Sequence, residues 1–193
     1  MANTIGDESA QKVHGLLADL HHKMQKGSIT VVHVERFLNK QNPFGSIITD
    51  KDDVLRVTVN RDRSIADGVT DGKYNSSNPD INDTYFPRSR AGIESSEIVL
   101  VHFDKSMSTD NVLKELEERN LRPADVQELL AIGEQYPDKQ REFPIIALGS
   151  IRQRLVGRRV VPYLHALGSN RELYLDWIGR DWEGFYRFAA VRK

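Results

Sequence analysis

The close of the chain, from Phe143 to Lys193, constrains its fold most. Phe143–Leu148, Arg159–Leu164, Leu173–Trp177 and Tyr186–Val191 are runs of five or six residues, apolar or alternating, parted by Gly, Asn, Asp or basic residues. Strand side chains point alternately to opposite faces, so such punctuated runs predict a small mixed or antiparallel sheet. That sheet has to bury a face against something else. Upstream, Glu97–Phe103 reads as a buried strand. Ser108 or Thr109 can cap a helix with Asp110 in its first turn and Val112, Leu113 and Leu116 on its inner side. Leu121-Arg122-Pro123-Ala124 reads as the opening of a second helix, with Pro123 in its first turn and Val126, Leu129, Leu130 and Ile132 following. The predicted order is strand, helix, helix, short strands, and the predicted class is α+β.

The N-terminus follows a different period. Val13, Leu16, Leu17, Leu20 and Met24 form one stripe of an amphipathic helix over 8–25, with Gly27 placed to end it. Thr30 can cap a second helix carrying Val31, Val34, Phe37 and Leu38 on one side, which Asn42-Pro43 stops. Together they predict a helical hairpin over 1–44, a surface for packing or for homo-oligomer formation. Residues 45–94 are poorer in apolar residues and predict a loop-rich connector holding a strand at Val54–Val59 and a short helix near Ser64–Val69. The third segment, 95–193, is the expected ligand-binding domain.

Bulk properties narrow the function. The 193 residues carry 27 basic and 28 acidic side chains, so no global field favours nucleic acid or an anionic membrane. Cysteine is absent, which removes disulfides, zinc-thiolate sites and cysteine nucleophiles. No basic, then apolar leader and no membrane-length apolar window occurs, so a cytoplasmic location with no membrane partner is expected.

Strand, two helices, several short strands and a final strand is also the order of the C-type lectin fold. Leu121–Leu129 resembles the helix-opening segment of the formylglycine-generating-enzyme branch of that fold, and Gly184-Phe-Tyr-Arg-Phe188 resembles its closing strand. The stretch from about Glu97 to Lys193, and Asn42-Pro43-Phe44, are similar to uncharacterised bacterial proteins common in candidate-phyla genomes, which end in an Arg-Phe-Leu-Ala-Val-Arg-Lys-like sequence. That ending resembles the tail of a diversity-generating retroelement variable protein. The resemblance implies a C-type-lectin-like domain in which fixed strands display changeable side chains to a protein or other macromolecular ligand, without catalysis. On that logic Leu173, Leu175, Trp177, Trp182, Arg187, Phe188 and Val191 form the scaffold. The ligand-binding residues are then His165, Asn170, Tyr174, Asp176, Arg180, Asp181, Glu183 and Tyr186. The cysteines of the formylglycine-generating enzymes and the Glu-Pro-Asn or Gln-Pro-Asp loops of calcium-dependent lectins do not occur in the sequence. No catalytic set, cofactor or metal is expected.

Two other readings stand beside this one. Arg152, Arg154, Arg158, Arg159, Arg192 and Lys193 make the C-terminal end basic and suit a nucleic-acid-associated protein. Asp176, Asp181 and Glu183 near two tryptophans suit a carboxylate-dependent hydrolase if held at the right separation. His14 and His21 share a helical face, but no further ligand is in register with them, so they read as solvated or interfacial.

Overall fold

The computed structural model describes residues 7–39, 48, 49, 51–88, 90–154 and 157–193, and only the backbone of 7–11. Its contacts divide the chain into residues 1–45 and 46–193. In the first unit, α1 (Asp7–Gln25) ends at Gly27, whose φ of +72° favours glycine, and α2 (Val31–Leu38) follows. His33 Nδ1 accepts a hydrogen bond from the Thr30 amide at 3.0 Å, which satisfies the first turn of α2. No α2 side chain is buried. The proposed stop at Asn42-Pro43 lies outside the described residues.

The second unit is built on one mixed sheet. Its strands are β1 (Asp53–Asn60), β2 (Ser76–Ser77), β3 (Ile93–Val101), β4 (Leu121–Pro123), β5 (Ile145–Ile146), β6 (Arg152–Gln153), β7 (Arg159–Leu167), β8 (Asn170–Trp177) and β9 (Arg187–Arg192). The order is β1-β3-β9-β5-β7-β8-β2, with β4 also beside β9 and β6 beside β7. The β5–β9 and β2–β8 pairs are parallel and the rest antiparallel. The helices are α3 (Ile65–Asp71), α4 (Thr109–Glu118), α5 (Val126–Gln135) and α6 (Lys139–Glu142). Together with the first unit this is a mixed α and β protein with six helices and a nine-stranded sheet among the described residues, larger than the small sheet expected.

Each face of the sheet carries its own apolar layer. Ile98, Leu100, Ala189, Leu164 and Leu173 face α5, while Val99, Val101, Phe188, Ala190, Ile146 and Val161 face α4 and the loop after β8. Burial on both faces explains why the centre of β3, Ile98–Val101, is continuously apolar and wholly buried. At the edge, β1 alternates instead: Leu55, Val57 and Val59 point inward and Val54, Arg56 and Thr58 outward. Side chains close that edge. Gln135 bonds both the amide and the carbonyl of Thr58 at 2.9 and 2.8 Å, and the Tyr136 hydroxyl donates to the Arg56 carbonyl at 2.9 Å. A capped edge resists pairing with another chain.

Three expectations need correction. Residues 45–94 are no separate connector: β1 pairs with β3 along its whole length, and the boundary placed at 95 cuts through β3. The second helix does not open at Leu121. Leu121–Pro123 pairs with β9, and α5 begins after Asp125, whose carboxylate accepts from the Glu128 amide at 3.0 Å while Glu128 accepts from the Asp125 amide at 2.8 Å. That capping box outweighs the preference of proline for a first turn. Finally, Phe143–Leu148 yields only the two-residue β5.

Candidate ligand-binding face

The β7–β8 hairpin turns through Gly168 and Ser169, with Gly168 at φ +60°, the position where a tight hairpin turn favours glycine. This turn sets the register: Val161 opposite Asp176, Tyr163 opposite Tyr174, and His165 opposite Glu172. Alternation then puts these six side chains on one face. Val161 belongs to the apolar layer beneath α4, whereas the other five are half-buried and polar or aromatic.

Their contacts hold them in fixed orientations. The Tyr163 and His165 rings stack at 4.7 Å and 11°, and Tyr174 meets His165 edge-on at 5.9 Å. His165 Nε2 lies 3.3 Å from the Glu172 carboxylate. Ser76, which β2 brings alongside β8, is 2.8 Å from the Tyr174 hydroxyl. From the turn after β8, Arg180 donates to the Asp176 carboxylate and, at 2.5 Å, to the Tyr186 hydroxyl. Burial, and then the charge of Asp176, push the Tyr163 phenol up to about 12. Burial opposes the charge of Arg180, but Asp176 and Tyr186 outweigh it and raise its basicity. The face therefore offers a neutral phenol, a fixed guanidinium, two carboxylates and aromatic surface, all of which make contacts at modest entropic cost.

The loop that carries Arg180 is anchored through close packing. Trp182 is wholly buried; its indole donates to Thr109 Oγ1 at 2.9 Å, and Thr109 donates to the Ile178 carbonyl at 2.7 Å. Gly184 passes so near Lys105 that a β-carbon would stand 2.8 Å from its amide nitrogen, and His102 Nε2 lies 2.8 Å from the Gly184 carbonyl. A side chain at 184 would push this loop away.

Of the eight expected readers, His165, Tyr174, Asp176 and Arg180 come together here. Asn170 is exposed at the turn end of the same strand face. Tyr186 is not an exposed reader: it is 9% exposed, edge-on to Trp182 at 5.4 Å and stacked on Phe185 at 4.7 Å, leaving its hydroxyl for Arg180. Asp181 and Glu183 are exposed on the loop, Asp181 lining a cleft of about 210 Å³ at the start of α4 with Ser108, Thr109 and Arg159. Trp177, expected in the scaffold, is 41% exposed with the Arg158 guanidinium 5.1 Å from its ring centre. Tyr163 and Glu172 were missed, although the Gly168-Ser169 hairpin signal places them opposite Tyr174 and His165.

The rival constellations are dispersed. Arg152 and Arg154 both reach the Asp80 carboxylate, Arg192 pairs with Glu97, and Lys193 pairs with Glu117. Asp176 is committed to Arg180, apart from the exposed loop carboxylates. Among the described residues no group of three His, Asp or Glu is placed to hold a metal ion, and no helix is long and apolar enough to cross a membrane. A second cleft of about 220 Å³, with Ile65, Phe86, Val126 and Ile151 in its walls, lies at the start of α5. Comparison with known proteins matched no family model, no curated protein and no solved structure.

Proposed function

We propose that this protein is a non-catalytic recognition protein whose β7–β8 face, bordered by Ser76 and Arg180, binds a protein or other macromolecular ligand. One observation carries the reading: on one face of two paired strands, the half-buried Tyr163, His165, Glu172 and Tyr174 touch one another beside a buried apolar layer, with Asp176 on the same face held by Arg180. A rigid set of aromatic and polar groups on strands suits binding, since little ordering remains to be done on association. The antiparallel pairing of β9 with β3 is in keeping with a C-type-lectin-like order, and the reading that these strands display changeable residues, as in retroelement variable proteins, rests on the resemblance of the chain's closing sequence.

The test is selection from a phage-displayed random peptide library against the full chain. Peptides enriched on the wild type are expected to lose at least about tenfold in affinity, or 1.4 kcal/mol, for His165→Ala/Tyr174→Ala/Arg180→Ala, a variant whose unfolding midpoint stays near that of the wild type. Enriched peptides that bind this variant equally well contradict the site.

A further inference from the structure

We propose that the ligand of the β7–β8 face is a protein segment carrying a lysine or arginine side chain, whose cation is received by Glu172. The proposal rests on the reading of that face as a binding site and adds the chemistry of what binds there. Low exposure makes an ionised carboxylate costly unless a cation or strong donors stand beside it. The 46–193 unit follows this rule at Asp52, Asp125, Glu128 and Asp176, whose side chains are no more than 20% exposed: Asp52 pairs with Arg119, Asp125 and Glu128 with Arg61, and Asp176 with Arg180. Glu172 is the exception. Its side chain is 15% exposed, and its ionisable partner is His165, with Nε2 at 3.3 Å. Among the described residues no lysine or arginine side chain reaches it.

The surroundings of Glu172 suit an incoming cation. A carboxylate accepts on both oxygens, so one ring nitrogen leaves most of that capacity unused. Register puts Glu172 opposite His165 on β7 and opposite Ser76 on β2, with Tyr174 two residues further along the same face. The half-buried rings of Tyr163 and Tyr174 lie 4.7 and 5.9 Å from that of His165. A cation that sheds water on entering gains from tyrosine ring faces as well as from the carboxylate. The backbone of the pair is already fixed, because buried Gln140 donates to the carbonyls of His165 and Glu172 at 2.6 and 3.1 Å. Counting histidine as neutral, the face holds Glu172 and Asp176 against Arg180, and Arg180 is committed to Asp176 and Tyr186. A phosphate arriving at Glu172 meets repulsion, which sets a protein segment with a basic side chain apart from nucleic acid as the occupant.

The peptides selected on the full chain are the probes. Those that lose affinity for the triple variant of the face are expected to share a lysine or arginine. Replacing that residue with an uncharged analogue, norleucine for lysine or citrulline for arginine, should weaken binding to the wild-type chain at least about tenfold, as expected for a hydrogen bond to a charged group. This arm leaves the protein unaltered, so it does not depend on the folding of a variant. Glu172→Gln should weaken the unaltered peptide by a similar factor and leave the affinity of the uncharged peptide unchanged, the coupling expected of two groups in contact. Glu118→Gln removes the same charge from α4, where Glu118 pairs with Lys114, and should change little. Face-dependent peptides without a basic residue, unchanged affinity for Glu172→Gln, or an equal loss with Glu118→Gln overturn the proposal and leave the binding face standing. Peptides that bind the triple variant as well as the wild type overturn the face itself, and the proposal with it.

Discussion

Replacing Arg61 with alanine is expected to destabilise the folded chain by about 3–5 kcal/mol, the cost of removing one partner from a buried ion pair. The Arg61 side chain is 1% exposed and binds three carboxylates: Glu94 at 2.7 Å, Asp125 at 2.6 Å and Glu128 at 2.8 Å. Glu128 is fully buried and is also held by Arg122 at 2.6 Å. Without Arg61, the Glu128 and Asp125 carboxylates each lose a donor at the helix start that docks α5 on the sheet. Because domains are stable by only about 5–15 kcal/mol, the loss should appear as a large fall in the urea midpoint. A fall below about 1 kcal/mol contradicts the account.

The same network gives stability a pH dependence whose sign is fixed. The hydrogen bond from Arg61 holds the Glu94 carboxyl below its ordinary value of 4.5 despite partial burial. The unfolded chain therefore takes up that proton first, and stability present above about 4.5 is lost as pH falls through the lower folded value. In Arg61→Ala this component should flatten, measured as the difference between the two unfolding free energies across the acid range.

Trp182→Ala is the second large effect, about 3–5 kcal/mol for deleting a buried tryptophan. The indole is wholly buried, edge-on to Tyr186 and Phe188 at 5.4 and 6.1 Å, and lies beneath the Arg180 guanidinium at 5.3 Å. Its backbone pairs with Met107, joining the loop after β8 to the segment before α4. The substitution should therefore loosen Arg180 and weaken peptide binding even under conditions where the chain remains folded. Trp182→Phe keeps most of the packing and loses the bond to Thr109, so its cost should be markedly smaller. Equal costs for the two substitutions, or unchanged binding by Trp182→Ala, contradict this anchoring role.

Much of the fold was legible where local pattern and tertiary demand agree. The apolar centre of β3 reports directly on its burial on both faces, the stripe from Val13 to Met24 marked α1, and the helices expected near Ser64 and after Ser108 form as α3 and α4. The misses arise where pairing with a distant segment decides. Leu121-Arg122-Pro123 is short and could begin a helix by local preference, but β9 offers it a strand partner; the Asp125 and Glu128 capping box was the readable signal for the true start. Ser76-Ser77 has no strand pattern and becomes β2 only because β8 lies beside it. At the candidate face, the family resemblance pointed to His165, Tyr174, Asp176 and Arg180, while Tyr163 and Glu172 needed the hairpin register. Tyr186 and Trp177 exchanged roles because aromatic identity does not say which side of a loop is covered: the apolar layer under α4 takes Tyr186, and Trp177 folds over Gly179 at the rim.

Hydrogen exchange of the chain with and without a selected peptide, read by mass spectrometry, tests the binding face most directly. Slowed exchange is predicted in Arg159–Leu167, Asn170–Trp177 and the loop bearing Arg180, with little change in β1, α3 and α5. Protection centred instead on the cleft lined by Phe86, Val126 and Ile151, with β7 and β8 unaffected, would contradict it.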